Sequence, residues 1–80
     1  MEQDHHEILL DLSGLLCPLP VLKARKRLIS MEAGDVLVVT ATDPMSAIDI
    51  PHFCNEQGHE LLEQSESDQN FLFRIRKSHQ

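Results

Sequence analysis

The sequence contains no tryptophan, no tyrosine and only three phenylalanines among its 80 residues. A core made of such a chain must be mainly aliphatic. A chain of this length is enough for one domain and too short for two, so we expect residues 1–80 to form a single domain. So small a body has little room for a deep catalytic cleft, and any chemistry is therefore expected on its rim.

Long apolar segments are also absent, because no run approaches the roughly 18 residues that a membrane-spanning helix requires. The first residues, Met1-Glu2-Gln3-Asp4, are acidic and polar, whereas a secretory signal begins with a basic segment. From these two features we expect a cytoplasmic protein with no membrane partner.

Cysteine occurs only twice, as Cys17 and Cys54, and there is no Cys-x-x-Cys motif. Small secreted scaffolds usually carry four or more cysteines, and thioredoxin-type pairs and zinc sites need closely spaced thiols. We therefore expect two reduced thiols. Cys54 follows Ile50 at helical spacing and is expected to face the core, although a secondary or resolving thiol is the alternative.

The histidines do not form a recognisable site. His5 and His6 have no third ligand nearby, and His52 and His59 show no visible partnership with a serine or cysteine. We therefore predict no metal site and no cofactor, and we assign no role to these four residues.

Basic residues are scarce, with 7 against 13 acidic residues and a formal net charge of −6. This balance argues against direct binding of nucleic acid, which depends on neutralising phosphates. Four bases nevertheless cluster, as Lys23, Arg25, Lys26 and Arg27, and the segment around them contains no acid. We interpret this run as a docking surface for an acidic partner; a simple solvated face is the alternative.

The hydrophobic pattern predicts the order β-α-β-α-β-β. Strands are expected over residues 8–12, 36–42, 60–67 and 71–76, the second of them buried on both faces. Helical periodicity covers residues 18–29, with Gly34 as the stop signal. Asp43 should cap a second helix that Pro51 breaks or kinks, leaving a second part over about 50–57 that Gly58 ends. Together these elements predict an α+β two-layer sandwich, with two helices on one face of a four-stranded mixed sheet.

The most informative segment is Cys17-Pro18-Leu19-Pro20, which places a cysteine at or next to the start of the first helix. A thiolate there could accept hydrogen bonds from the backbone N–H groups of Leu19 and Val21. It would also lie at the positive end of the helix dipole, so we expect a lowered pKa for Cys17. Packing as a small buried side chain is the alternative.

The residues around Cys17 are expected to support it. Pro18 and Pro20 should stiffen the first turn of the helix, and Gly14 should leave the approach to the thiol open. Asp49 is expected to cap the second part of the broken helix rather than to act as a base.

The Cys-Pro-x-Pro segment after a Leu-Asp-Leu strand resembles the TusA/SirA-like sulfur carriers. The resemblance extends from about residue 8 to residue 77. Further positions match in register: Val21, Arg25, Lys26, Gly34, Asp43-Pro44, Asp49-Ile50-Pro51, Phe53-Cys54, His59-Glu60-Leu61 and Ile75-Arg76-Lys77. The resemblance implies that Cys17 accepts sulfane sulfur from a cysteine desulfurase as a persulfide and passes it to an acceptor protein.

Synthesis of 2-thiouridine in tRNA is the favoured destination of that sulfur, with molybdenum-cofactor maturation and sulfur oxidation as alternatives. Leu19 departs from the tRNA-thiolation member of the family, which has glutamate there, and this leaves the choice of partner open. We expect a monomeric persulfide relay rather than a stand-alone enzyme. Two other hypotheses remain: a redox protein that cycles a Cys17–Cys54 disulfide, and a regulatory module whose cysteines only pack.

Overall fold

The strands and helices of the computed structural model, which describes residues 6–78, follow the predicted order. They are β1 (Glu7–Leu12), α1 (Leu19–Ile29), β2 (Val36–Ala41), α2 (Ser46–Gln57), β3 (Glu60–Ser67) and β4 (Asn70–Arg76). Within this range, neither helix is long and apolar enough to cross a lipid bilayer.

The four strands form one mixed sheet in the order β1-β2-β4-β3. β1 and β2 are parallel neighbours joined by α1, whereas β4 runs antiparallel to both β2 and β3. The β3–β4 hairpin closes through Asp68 and Gln69, which both have positive φ, as the tight turns of hairpins require. Because β4 lies between β2 and β3, only the first crossover joins neighbouring parallel strands.

The core lies between one face of the sheet and the two helices. Leu37, Val39, Phe73 and Ile75 of the central strands are fully buried there. Against them pack buried side chains of α1 and α2, namely Pro20, Ala24, Leu28, Ser46, Ile50, Phe53 and Cys54. This arrangement confirms the predicted α+β sandwich with both helices on one face of the sheet.

The second strand is buried on one face only, so the prediction of burial on both faces was wrong. Leu37, Val39 and Ala41 are buried, while Val36 and Val38 on the other side are only partly covered. The helices cover a single face, and Val36, Val38 and Thr40 on the other face therefore stay partly exposed.

Helix α2 runs without a break through Pro51, so of the predicted break or kink, the break was wrong. Proline has no N–H, and the carbonyl of Ala47, four residues earlier, therefore loses its helical hydrogen bond. The side chain of Gln64 in β3 supplies the replacement, because its Nε2 donates to that carbonyl at 3.2 Å. A neighbouring strand thus satisfies the group that proline leaves unpaired.

Gly34, the glycine expected to stop the first helix, does not lie at the end of that helix. α1 ends at Ile29, and Ser30 is its C-cap; the Ser30 N–H donates to the carbonyl of Arg27, and the Met31 N–H donates to that of Leu28. Gly34 lies in the turn before β2 with φ +95°, and its N–H donates to the carbonyl of Lys77. Gly58 does end α2, in the left-handed conformation, as predicted.

Candidate functional site

The candidate site lies where the chain leaves β1 and β2 and enters the two helices. Because these strands are parallel neighbours, both chain segments emerge at the same edge of the sheet. Two hydrogen bonds join the segments: the Gly14 N–H donates to Thr42 Oγ1 at 2.9 Å, and the Cys17 N–H donates to Asp43 Oδ2 at 2.6 Å. The start of α1 is thereby held against the start of α2.

Cys17 is exposed at this edge, one residue before Pro18, the N-cap of α1. Its thiol donates a hydrogen bond to Asp49 Oδ2, with Sγ and Oδ2 3.3 Å apart. The N–H of Leu19, which was expected to bind the thiolate, instead donates to the Leu16 carbonyl at 2.8 Å. The thiol therefore contacts a carboxylate of α2 rather than backbone donors of α1.

This contact reverses the electrostatic expectation for Cys17. The hydrogen bond to Asp49 raises the pKa of the Cys17 thiol, and partial desolvation and the negative charges of Asp49 and Asp43 act in the same direction. The predicted lowering of the pKa was wrong. A helix start favours an anion, whereas the two nearby carboxylates favour the neutral thiol and raise its pKa.

Asp43 joins the cysteine segment to α2. Its side chain is almost completely buried, with an exposed fraction of 8%. One carboxylate oxygen accepts the Cys17 N–H, and the other accepts the Met45 N–H at 3.1 Å. The helix begins only at Ser46, with Met45 as its N-cap. Asp43 therefore organises the turn before the helix and is not the predicted cap residue.

The proline and glycine positions hold the backbone at the site. Pro18 and Pro20 occupy the N-cap and the first turn of α1, as expected, and Pro20 is buried. Gly14 has φ +84°, and a Cβ there would meet no atom within 4 Å. Glycine is thus needed for the left-handed backbone of this turn. The sequence had suggested that it keeps the approach to the thiol open.

An open groove lies beside the thiol. It has a volume of about 240 Å³ and is lined by Pro18, Val21, Asp49, His52, Phe53 and Glu56. His52 and Glu56 pair one helical turn apart along the α2 side of the groove, with Nε2 and Oε2 3.3 Å apart. The exposed apolar side chains of the two helix starts, Leu16, Leu19, Met45 and Ile48, add to the surface near Cys17. This edge of the molecule therefore combines an exposed thiol, carboxylates and apolar surface.

The basic run of α1 does not form one patch. Lys23, Lys26 and Arg27 line a shallow depression together with Leu10 of β1. Arg25 lies on another side of the helix, where it lines a cavity of about 120 Å³ with Phe53, His59, Lys77 and other residues. The guanidinium of Arg27 also donates to Ser30 Oγ at 2.7 Å.

Cys54 is a core residue, as predicted, with an exposed fraction of 2%. Burial raises the pKa of its thiol to about 11. Both cysteines are free thiols. Cys17 is thus the one exposed thiol within residues 6–78, and it stands apart from a second thiol that is inaccessible and protonated at neutral pH.

His52 lines the groove beside the thiol, whereas His6 and His59 lie elsewhere. The Ser78 N–H donates to His59 Nδ1 at 3.0 Å, and burial, with a further contribution from Lys77, lowers the pKa of His59. The His6 N–H donates to Asp35 at the other end of β1, and His5 lies outside the described residues. Across residues 6–78, no three His, Cys, Asp or Glu side chains gather as metal ligands would.

Two residues of the site escaped the sequence analysis, namely Asp43 and Asp49. Both are far from Cys17 along the chain, and both had been interpreted only as helix caps. The topology contained the missing signal: residues that follow two neighbouring parallel strands meet at one edge. Cys17 follows β1, and these aspartates follow β2.

The fold and the site define a small α+β domain that presents one exposed thiol at a helix start. The family model described as Sulfurtransferase TusA matches residues 8–77. A sulfur carrier protein TusA of Pseudomonas putida is 48% identical over 71 residues, which is 89% of this chain and 89% of that protein. The TusA sulfur carrier of Allochromatium vinosum is 51% identical over 69 residues, covering 86% of this chain and 91% of the relative.

A solved structure agrees with these sequence matches. The crystal structure of a SirA-like protein from Desulfitobacterium hafniense superposes with a TM-score of 0.76 at 28% identity, covering 92% of this chain and 99% of that one. The chain therefore belongs to the TusA family of sulfur carriers, as the resemblance of its sequence indicated. A sulfur carrier requires a donor and an acceptor of sulfur as partners.

Proposed function

We propose that Cys17 carries the sulfur as a persulfide, which it receives from a cysteine desulfurase and passes to an acceptor protein. The observation that carries this proposal is the contrast between the two thiols. Cys17 is exposed at the edge where both helices begin, while Cys54 is buried in the core. A protein partner can reach only the first of them without opening the fold.

The proposed transfer needs no external oxidant or reductant. The Cys17 sulfur, as a thiolate, attacks the terminal sulfur of the donor persulfide. A new S–S bond forms at Cys17, the S–S bond of the donor breaks, and the donor cysteine leaves as a thiolate that takes up the proton released by Cys17. A second transfer of the same kind moves the terminal sulfur to the acceptor and restores the Cys17 thiol.

The surroundings of Cys17 support such an exchange between proteins. Pro18 and Pro20 constrain the backbone after the cysteine, Gly14 permits the left-handed turn before it, and Asp43 accepts a hydrogen bond from the Cys17 N–H. We place the carrier in the cytoplasm as a monomer with a single sulfur-carrier domain. For the destination of the sulfur we favour 2-thiouridine in tRNA, with molybdenum-cofactor maturation and sulfur oxidation as the alternatives.

A direct test is the intact mass of the protein after incubation with a cysteine desulfurase and cysteine. The wild type should gain a sulfur atom, Cys17→Ala should gain none, and the matched variant Cys54→Ala should load like the wild type. Sulfur on Cys17→Ala would overturn the assignment. A loss of two hydrogens without added sulfur would instead indicate the Cys17–Cys54 redox cycle, against which the burial of Cys54 argues.

We further propose that Lys23, Arg25, Lys26 and Arg27 take part in docking the donor. Lys23 and Lys26 are exposed on one side of α1 and are the best placed to meet an acidic surface. Single exposed charge pairs contribute only about 0.2–1 kcal/mol. Several together can nonetheless accelerate encounter, and salt should weaken this effect.

A pair of single reversals tests the docking surface. Lys26→Glu should slow sulfur loading and reduce its dependence on salt. Arg76→Glu changes the net charge equally but lies in β4, in an ion pair with Glu60, and should load at the wild-type rate. Equal rates for both variants and the wild type would show that the basic run is only a solvated face. Docking would then depend on apolar residues such as Leu16 and Leu19.

A further inference from the structure

The charged surroundings of Cys17 are acidic, although the helix that follows it along the chain carries four bases and no acid. Its Sγ lies 3.3 Å from Asp49 Oδ2, and Asp43 adds a second carboxylate that binds the Cys17 N–H. Further along the same face of α2, His52 and Glu56 pair with each other and line the groove next to Asp49. Lys23, the first base of α1, lines the depression on the β1 side instead.

The hydrogen bond from the Cys17 thiol to Asp49 can form only in the empty carrier, that is, the protein without bound sulfur. In a persulfide, Sγ is bonded to a second sulfur and has lost its proton, so it can no longer donate to Oδ2. The carboxylate therefore favours the empty thiol over both the thiolate and the loaded form. A residue with this preference affects how readily the free carrier reacts.

We propose that Asp49 is a positioning residue for the sulfur-carrying cysteine, holding the thiol of the free carrier in its neutral form and turned toward α2. The proposal deepens the proposed function and rests on it, because Cys17 must be the residue that carries the sulfur. A neutral thiol is a poor nucleophile, so the free carrier is protected from small electrophiles and oxidants. A partner that places a cation against Asp49 would remove this restraint.

The size of the effect follows from charge and exposure. For two charges about 4 Å apart in a water-like environment, the interaction changes the thiolate population by about fivefold. Cys17 is exposed, so this weaker limit applies rather than that of a protein interior. The hydrogen bond to Asp49 raises the pKa of Cys17, and the negative charge of Asp49 adds to this effect. Removal of that charge should therefore lower the pKa and increase the thiolate fraction at neutral pH.

The test is the rate of alkylation of Cys17 by iodoacetamide as a function of pH, in a Cys54→Ala background. Asp49→Asn should move the midpoint to lower pH and speed alkylation near neutral pH by about fivefold. Asp49→Glu restores the charge and should move the midpoint back. Asp68→Asn is the matched control: it removes the same charge from the exposed β3–β4 turn and should leave the midpoint unchanged.

An unchanged or raised midpoint in Asp49→Asn overturns the proposal, and so does an equal shift in Asp68→Asn. A comparison without any substitution at Asp49 provides a second test. The Cys17 midpoint in the folded Cys54→Ala protein should lie above the midpoint of the same chain unfolded in urea. A folded midpoint at or below the unfolded one contradicts the role of Asp49 even if Asp49→Asn fails to fold.

The outcome of these alkylation measurements does not depend on whether the proposed function is correct. Alkylation reports the ionisation of Cys17 whether or not the protein carries sulfur, whereas the intact mass after desulfurase treatment reports sulfur alone. Normal loading of Cys17 with an unshifted alkylation profile overturns only the role of Asp49. Sulfur found on Cys17→Ala overturns the proposed function itself.

Discussion

Asp43 offers the sharpest test of how the site is held together. Its nearly buried carboxylate accepts the N–H groups of Cys17 and Met45, at 2.6 and 3.1 Å, and these bonds join the segments that follow β1 and β2. Asp43→Ala removes both acceptors and leaves two backbone donors with only water as a partner. The variant should therefore lose both stability and the fixed position of Cys17.

The magnitude follows from the number and type of these bonds. Hydrogen bonds to a charged group contribute about 1.5–3 kcal/mol each, and water that enters the site recovers part of this. We expect Asp43→Ala to lower the free energy of unfolding by about 2–4 kcal/mol. A domain of this size has about 4–12 kcal/mol in total, so the loss is a large fraction of its stability.

Urea unfolding followed by far-UV circular dichroism measures this loss, since the chain has no tryptophan for fluorescence. Asp43→Asn should fall between the wild type and Asp43→Ala, because its amide keeps one oxygen acceptor but turns an NH₂ group toward the other N–H. Asp68→Asn, an exposed turn variant, should unfold like the wild type. A loss below about 1 kcal/mol for Asp43→Ala would refute the view that this carboxylate joins the two segments.

Three further predictions concern the core and α2. The pKa of Cys54 is raised from 9.0 to about 11, so above pH 9 the unfolded state loses a proton that the folded state keeps. The free energy of unfolding should therefore fall as the pH rises from 9 to 11, and it should fall less steeply in Cys54→Ala. Gln64→Ala should lower the free energy of unfolding in urea by about 0.5–1.5 kcal/mol. The loss should be smaller in the Pro51→Ala background, because the backbone N–H at position 51 can then bind the Ala47 carbonyl. The buried Ser46 hydroxyl has no hydrogen-bond partner within residues 6–78, so Ser46→Ala should leave the urea midpoint unchanged or raise it; a clear drop would reveal a bonded hydroxyl.

The strands could be predicted because one face of the sheet is buried. Phe71, Phe73 and Ile75 alternate with exposed or half-exposed neighbours, and the structure places all three in the core. Such alternation depends only on local spacing and therefore survives without knowledge of the tertiary fold. The covering of β2 could not be predicted in the same way, because a β-branched run does not reveal whether one or both faces receive a helix.

The behaviour of α2 could not be predicted from local sequence either. Proline inside a helix predicts a break because it leaves a carbonyl unpaired. The group that repairs this defect is the side chain of Gln64, which belongs to β3 and has no local relation to Pro51. Tertiary structure therefore overrides the helix-breaking tendency of Pro51 through a contact that the hydrophobic pattern does not reveal.

The same difference between local pattern and tertiary contact explains why the pKa of Cys17 was predicted wrongly. The position of Cys17 beside a helix start was predictable from its two flanking prolines, but its ionisation depends on a carboxylate 32 residues away. The parallel pairing of β1 and β2 makes that contact possible, since it sends both helices off from one edge of the sheet. Cys17 follows β1 closely enough to contact Asp49 in the first turn of α2. The contact with Asp49 raises the pKa of the Cys17 thiol, so a substitution at position 49 should change the reactivity of the carrier while leaving the Cys-Pro-x-Pro segment intact.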